Sequence, residues 1–413
     1  MGTMTGGEVL FYVLLDLALI LVAARALGYL FVRMRQPRVV GEIVAGVLLG
    51  PTLWGTMTTE VFPSQSVSVL GGIGQFGLLL FSFLVGLEVE IPPLKERLRT
   101  VVIVGLGVVL IPVLFGFAIG PALSNPTFQV EGTSDTGFVL FVGAILAVTA
   151  LPVMVRILQE KGLTLSRLGA VGIAAASVCT VAMFVTSSVA SSVSQGEGTG
   201  PIVLKLGATA GYLVGMIYLI RPISRRLIAP FRKTGELDAS VLSLLFIVLV
   251  ISGVIAQGLG LTVIVGGFMA GVILPARKPL FAILDARFGH FTAAILLPVF
   301  LAVSGLATDF RSLTTNAIGG LIVLLAAAIV SKWAGGAVSA RLGGMSWSDG
   351  NVIGILMNCR GLMVLVVALV GIQDGVITPT LQLGAVLIAL ITNAMTGPLF
   401  DASIRRTPVS AET

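Results

Sequence analysis

The sequence predicts an all-helical integral membrane protein of about thirteen transmembrane helices, arranged as two inverted six-helix repeats whose broken helices cross. Three observations lead there. Hydrophobic residues make up 56% of the chain and charged residues only 11%, a balance no water-soluble domain keeps. Apolar runs of roughly 20 residues recur along almost the whole length, as bilayer thickness demands of helices. Finally, two of these runs are interrupted by polar residues, Gly or Pro, at Thr149-Ala150-Leu151-Pro152 and at Asn358-Cys359-Arg360-Gly361. Such breaks free backbone groups at membrane depth and are tolerated only where they line a cavity or bind something.

In chain order the expected spans are 9–31, 39–54, 67–87, 101–119, 137–158, 168–193 and 201–220, then 241–257, 260–274, 288–306, 317–340, 352–372 and 381–400. The first follows Glu8, has no basic residue before Arg25 and is too long for the apolar core of a cleaved signal peptide, so it reads as a membrane helix. Loop charges test the count. With the N-terminus outside, Arg33, Arg35, Arg38, Lys95, Arg97 and Arg99 head a long set of cytoplasmic basic residues, while the outer side keeps Lys205 and Arg311. This asymmetry of roughly ten to one supports an external N-terminus and a cytoplasmic C-terminus, in a bacterial-type plasma membrane.

The formal charge of +6 therefore belongs to loops facing anionic headgroups; the partner it implies is the lipid bilayer, not nucleic acid. Cys179 and Cys359 both fall in apolar spans, so no disulfide framework is implied. No metal-ligand cluster, nucleophile–base pair or phosphate-binding Gly loop stands out, and no resident cofactor is expected.

If the first six and last six spans are two repeats joined by the seventh, the break at 149–152 in the fifth span corresponds to that at 358–361 in the twelfth. An odd linker makes the halves antiparallel and brings half-helix ends together near the midplane, facing a substrate or ion. A cation carrier is then expected to hold a carboxylate on the next span. Yet no Asp or Glu occurs between Glu160 and Glu197.

Several stretches resemble the second monovalent cation:proton antiporter family, with its Kef-, Nap- and CHX-type exchangers. They are Gln36-Pro37-Arg38-Val39-Val40-Gly41-Glu42-Ile43, Gly77-Leu78-Leu79-Leu80-Phe81 with Phe83-Leu84-Val85-Gly86-Leu87-Glu88, residues 148–158 and 266–275, Leu297-Pro298-Val299-Phe300, Lys332, and Met357-Asn358-Cys359-Arg360-Gly361-Leu362. The resemblance implies a homodimer exchanging Na+ or K+ for protons. Its core would carry the ion as an elevator, in residues 94–194 and 313–404. Residues 1–93 and 195–312 would hold the dimerisation helices and the linker, and 405–413 a cytoplasmic tail. It also implies an Asn-Asp or Asp-Asp pair on the sixth span and a competing Lys on the eleventh. Lys332 matches the latter, but Cys179 and Thr180 stand where the acids belong. Met363 and Val364 occupy the place of a Glu that often follows the Arg-Gly break.

The candidate ion or substrate site is thus Thr149, Pro152, Cys179, Thr180, Lys332, Asn358, Cys359 and Arg360. Coupled exchange needs a group that alternately holds a proton and a cation. A hydroxyl does not titrate usefully and a thiol in apolar surroundings stays neutral, whereas Lys332 is an ionisable group that needs no carboxylate. Arg360 reads first as a structural cation satisfying carbonyls freed at the break. Asp16 and Glu42 are further membrane acids, on helices the resemblance gives to dimerisation. A soft-metal site of the two cysteines with Met154 or Met357 reads more simply as packing, and His290 as an interfacial residue. Three classes follow: a cation:proton antiporter, a carrier repurposed for another small solute, and a membrane-embedded enzyme or binding protein.

Overall fold

A computed structural model describes residues 4–34, 38–88, 98–163, 166–229, 231, 237–274, 278–306 and 315–406. Gln36, Pro37, Lys95, Arg97, Pro275, Arg311, the boundaries at 93/94 and 312/313, and residues 407–413 lie outside them. Among the described residues there are helices and no strand, with one isolated bridge between Gln129 and Ile377. Nine of the described helices are long and apolar enough to cross a bilayer. Four shorter apolar helices, Gly41–Trp54, Asp135–Ala147, Val263–Ile273 and Met363–Gln373, join them. Together they account one for one for the expected spans. The short ones are the second, fifth, ninth and twelfth, where Gly, Pro and polar residues cut the apolar run.

The chain divides into two compact units, Met1–Glu90 with Val203–Asp309, and Ile91–Ile202 with Phe310–Thr413. In the first, α1 (Gly6–Arg33), α2 (Arg38–Leu49) and α3 (Ser64–Glu88) pack with α4 (Ala239–Gly258), α5 (Val263–Ile273) and α6 (Leu297–Leu306). Membrane helices have no hydrophobic drive to associate, so close backbone approach through small residues holds them. Gly267 and Gly271 of α5 lie against the carbonyls of Leu79 and Phe83 on α3, and Gly86 of α3 against Phe268 O. Side chains at those glycines would push the two helices apart. Asp16 is fully buried here and accepts a hydrogen bond from Ser66 at 2.5 Å; Glu42 is also buried. His290 is exposed.

The second unit has one order of elements twice over. It begins with α7 (Leu98–Leu123), the interrupted pair α8 (Asp135–Ala147) and α9 (Leu151–Glu160), and α10 (Arg167–Ser194). It continues with α11 (Thr315–Leu342), the interrupted pair α12 (Trp347–Met357) and α13 (Leu362–Gln373), and α14 (Pro379–Arg406). Small residues again set the contacts. A methyl group on Gly116 of α7 would lie 2.5 Å from Gly143 Cα of α8, and one on Gly336 of α11 would lie 2.6 Å from Gly354 Cα of α12. These contacts press both interrupted pairs against long neighbours, which is what positions the site.

Candidate functional site

The first break arises because α8 stops at Ala147 and Val148 turns extended, φ −60° and ψ 141°. Pro152 sits in the first turn of α9, where the missing N–H removes no helix bond; its side chain lies outside the described residues. The last carbonyls of α8 are left without their usual partners four residues on. The second break follows the same logic. α12 ends at Met357, α13 starts at Leu362, and the intervening residues leave the helix.

The two breaks are joined to each other. Ala150 N–H donates to Cys359 O at 2.7 Å, and Thr149 Oγ1 donates to Met357 O at 3.1 Å. Gly361 fits close beside this junction, since a methyl group there would come within 3.3 Å of both Ala150 Cβ and Val153 Cγ2. The interrupted helices therefore cross at their breaks, and each satisfies polar groups of the other.

Two fully buried cations flank the crossing. Lys332 Nζ donates to Val108 O at 2.7 Å, to Ala147 O, and to Cys179 Sγ at 3.2 Å, so its three protons meet three acceptors. Arg360 donates to Ile145 O at 3.1 Å and to Ala328 O. Ala147 and Ile145 belong to the last turn of α8, whose helix dipole is negative at that end. This field and the freed carbonyls make two buried positive charges tolerable. Among the described residues neither cation has a carboxylate partner; the ion pair described in this unit, Lys161 with Asp401 at 2.7 Å, is exposed.

The other expected residues divide. Thr149, Cys179 and Lys332 come together, with Cys179 Sγ also 3.1 Å from Ala147 O and 3.7 Å from Thr149 Oγ1. Thr180 is buried but bonds its own helix, Oγ1 to Ala176 O at 2.9 Å. Asn358 donates from Nδ2 to Ile329 O at 2.9 Å, while its Oδ1 has no partner among the described residues. Cys359 contributes its carbonyl to the crossing and turns its thiol to Asn393 Oδ1 at 3.5 Å. The two thiols thus have different partners, and the described residues hold no cluster of three His, Cys, Asp or Glu fit for a metal.

Sequence reasoning missed Val108 as a ligand, although a signal was present. Pro112 lies inside α7 and has no N–H to give the carbonyl four residues earlier, which is Val108. Lys332 takes that orphaned oxygen.

Membrane-length apolar helices, with two interrupted ones joined at their breaks beside the buried Lys332, define a polytopic membrane protein. The chain belongs to the sodium/hydrogen exchanger family: the family described as "Sodium/hydrogen exchanger, transmembrane" matches residues 18–402. It is 33% identical over 396 residues to the Na+/H+ antiporter NhaS4 of Synechocystis, covering 94% of this chain and 96% of that one. It is 30% identical over 409 residues to K+/H+ antiporter 1 of Saccharomyces cerevisiae, covering 94% of this chain and 46% of the yeast protein, so it spans about half of that relative. The sodium proton antiporter MjNhaP1 of Methanocaldococcus jannaschii shares the fold, with a TM-score of 0.70 at 19% identity over 96% of this chain and 97% of that one. Family membership places the chain among transporters, and the embedded-enzyme alternative falls.

Proposed function

We propose that this protein exchanges a monovalent cation, Na+ or K+, for a proton, and that Lys332 is the group that carries the proton. The observation that carries this reading is the placement of Nζ on Val108 O and Ala147 O, two carbonyls without their own helix partners. Such oxygens are what an alkali cation needs in place of its hydration shell. Ammonium and cation compete for the same ligands, and their repulsion at about 3 Å amounts to roughly 5 kcal/mol even at an effective dielectric of about 20. A cation therefore binds as Lys332 gives up its proton, and the proton returns as the cation leaves. No carboxylate is required, which fits the acid-free span holding Cys179 and Thr180. Thr149 Oγ1 offers a further oxygen, and Arg360 holds the break in shape.

The division of the chain supports an elevator. The unit containing Lys332 carries the ion, and the other unit serves as scaffold and pairs with a second copy. The basic-loop asymmetry supports a cytoplasmic C-terminus.

The test is flux in sealed proteoliposomes with internal pH recorded. An imposed Na+ or K+ gradient is expected to move internal pH in the wild type and to leave it unmoved in Lys332→Ala. A wild type that gives no cation-dependent pH change sinks the proposal. One observation favours a second reading, transport of an anionic or carbonyl-bearing solute: two buried cations flank the crossing and neither has a carboxylate partner among the described residues. Proton movement driven by anion gradients and indifferent to Na+ and K+ would select it.

A further inference from the structure

Arg25 is a charged residue at membrane depth that the crossing does not use. α1 has 28 residues, so it is about 42 Å long and overhangs a hydrocarbon layer of about 30 Å at both ends. Counted back from Arg33, its last residue, Arg25 lies about 12 Å from the helix end. In a centred helix that is roughly 6 Å inside the apolar layer. Its side chain is exposed, and Nη2 donates to Ala294 O at 3.1 Å in the π-helical turn Thr292–Leu296 that leads into α6. This uses one of five guanidinium N–H groups. Arg38, at the start of α2, reaches the same place. A methyl group on Gly28, one turn from Arg25, would come within 2.9 Å of Arg38 Cγ, so the Arg38 stem lies across α1. Glu42 feels the charges of both arginines but is itself buried. Among the described residues no carboxylate is paired with Arg25, Arg33 or Arg38. An exposed charge at this depth is costly unless an anion meets it.

We propose that the groove between α1, α2 and the turn before α6 holds the phosphate of an anionic phospholipid from the leaflet at the Arg33 end, gripped by Arg25 and Arg38 together. A guanidinium at that depth snorkels toward the headgroups along its own apolar stem, and its planar fork matches the oxygens of a phosphate. Basic pockets between membrane helices recognise lipid headgroups in this way. The surroundings select a lipid over a soluble anion. Val22 and Tyr29 share the Arg25 face of α1 and are 71% and 64% exposed, and Phe291, one turn before Ala294, is 52% exposed. Acyl chains cover such an apolar border, and water does not. A second copy of the chain would bring the same unpaired arginines to this face and not the anion it lacks.

Native mass spectrometry of the purified protein, offered equal amounts of phosphatidylglycerol and phosphatidylcholine with identical chains, reads the preference. The wild type is expected to retain phosphatidylglycerol over phosphatidylcholine by about fivefold or more. Arg25→Gln and Arg38→Gln are expected to bring that ratio near unity. Arg405→Gln, which removes the same charge at an exposed position of the second unit, is expected to keep it. Melting without added lipid shows whether each variant is folded; should Arg25→Gln fail to fold, Arg38→Gln at the exposed start of α2 carries the test. Equal retention of the two lipids by the wild type, a ratio that folded arginine variants leave unchanged, or an equal fall in Arg405→Gln would overturn the proposal. So would displacement of phosphatidylglycerol by inorganic phosphate, which would give the groove to a soluble anion. Disulfide crosslinking of Tyr29→Cys between two copies that retain no lipid would give it to a second copy and overturn the proposal as well.

Discussion

Lys332 Nζ donates to Val108 O, the carbonyl that Pro112 leaves without a helix partner. A helix defect in α7 is thereby converted into a ligand for a cation held on α11, and each explains the other. Replacing Pro112 with Ala restores an N–H that competes for Val108 O. Removing a proline from a helix interior relieves up to about 3 kcal/mol, so Pro112→Ala is expected to melt no lower than wild type. With one oxygen withdrawn from the site, the cation concentration for half-maximal exchange is expected to rise about tenfold, equivalent to about 1.4 kcal/mol. Thermal unfolding in detergent together with a cation titration of flux checks both halves. An unchanged titration curve would show that Val108 O plays no part in binding.

Lys332 itself is best probed by a side chain of similar length without charge. Lys332→Met leaves the Val108 carbonyl without a donor, at about 1–3 kcal/mol, leaves Ala147 O with the Cys179 thiol alone, and removes the competing ammonium. The expected outcome is a protein of lower melting temperature whose cation binding no longer depends on pH. Isothermal titration with Na+ and K+ at several pH values reads this. Binding that keeps the wild-type pH dependence would place the proton elsewhere.

The contrast between Cys179 and Thr180 shows where sequence reading runs out. Thirteen apolar runs and two breaks are visible in one dimension, because bilayer thickness fixes span length and Thr149–Pro152 and Asn358–Gly361 interrupt it locally. Lys332 stands out as a lone cation far inside a span. Neighbouring residues on a helix, however, point about 100° apart, so only one of Cys179 and Thr180 can face Lys332. Which one does depends on how α10 is rotated by packing such as that of Gly137 against Ser194. The Val108 contact is equally long-range, since 224 positions separate it from Lys332. The motif residues Cys359 and Arg360 are visible in the sequence, but not that Cys359 serves through its backbone carbonyl, nor which carbonyls, Ile145 O and Ala328 O, Arg360 reaches.

Because Cys179 Sγ accepts from the ammonium at 3.2 Å, its replacements should differ in order. A hydrogen bond to a charged group contributes about 1.5–3 kcal/mol. Cys179→Ser keeps an acceptor there and is expected to retain most stability and exchange, while Cys179→Ala loses that bond and unfolds at lower temperature. Equal melting curves for the two variants would mean that the sulfur contact contributes nothing.

The crossing gives the last test. Thr149 Oγ1 reaches Met357 O at 3.1 Å, and both groups are buried. Thr149→Val keeps the shape and removes the donor, leaving a buried carbonyl without it at about 1–3 kcal/mol. Thr149→Ser restores the hydroxyl and should recover most of that loss. The backbone bond from Ala150 to Cys359 survives in both variants, so the fold is expected to persist and the damage to appear locally. Hydrogen exchange read by mass spectrometry should then show faster exchange at residues 147–150 and 357–361 in Thr149→Val than in Thr149→Ser, with the long helices unchanged. Uniform acceleration across the unit would instead mean that the hydroxyl supports global stability and does not specifically hold the two breaks together.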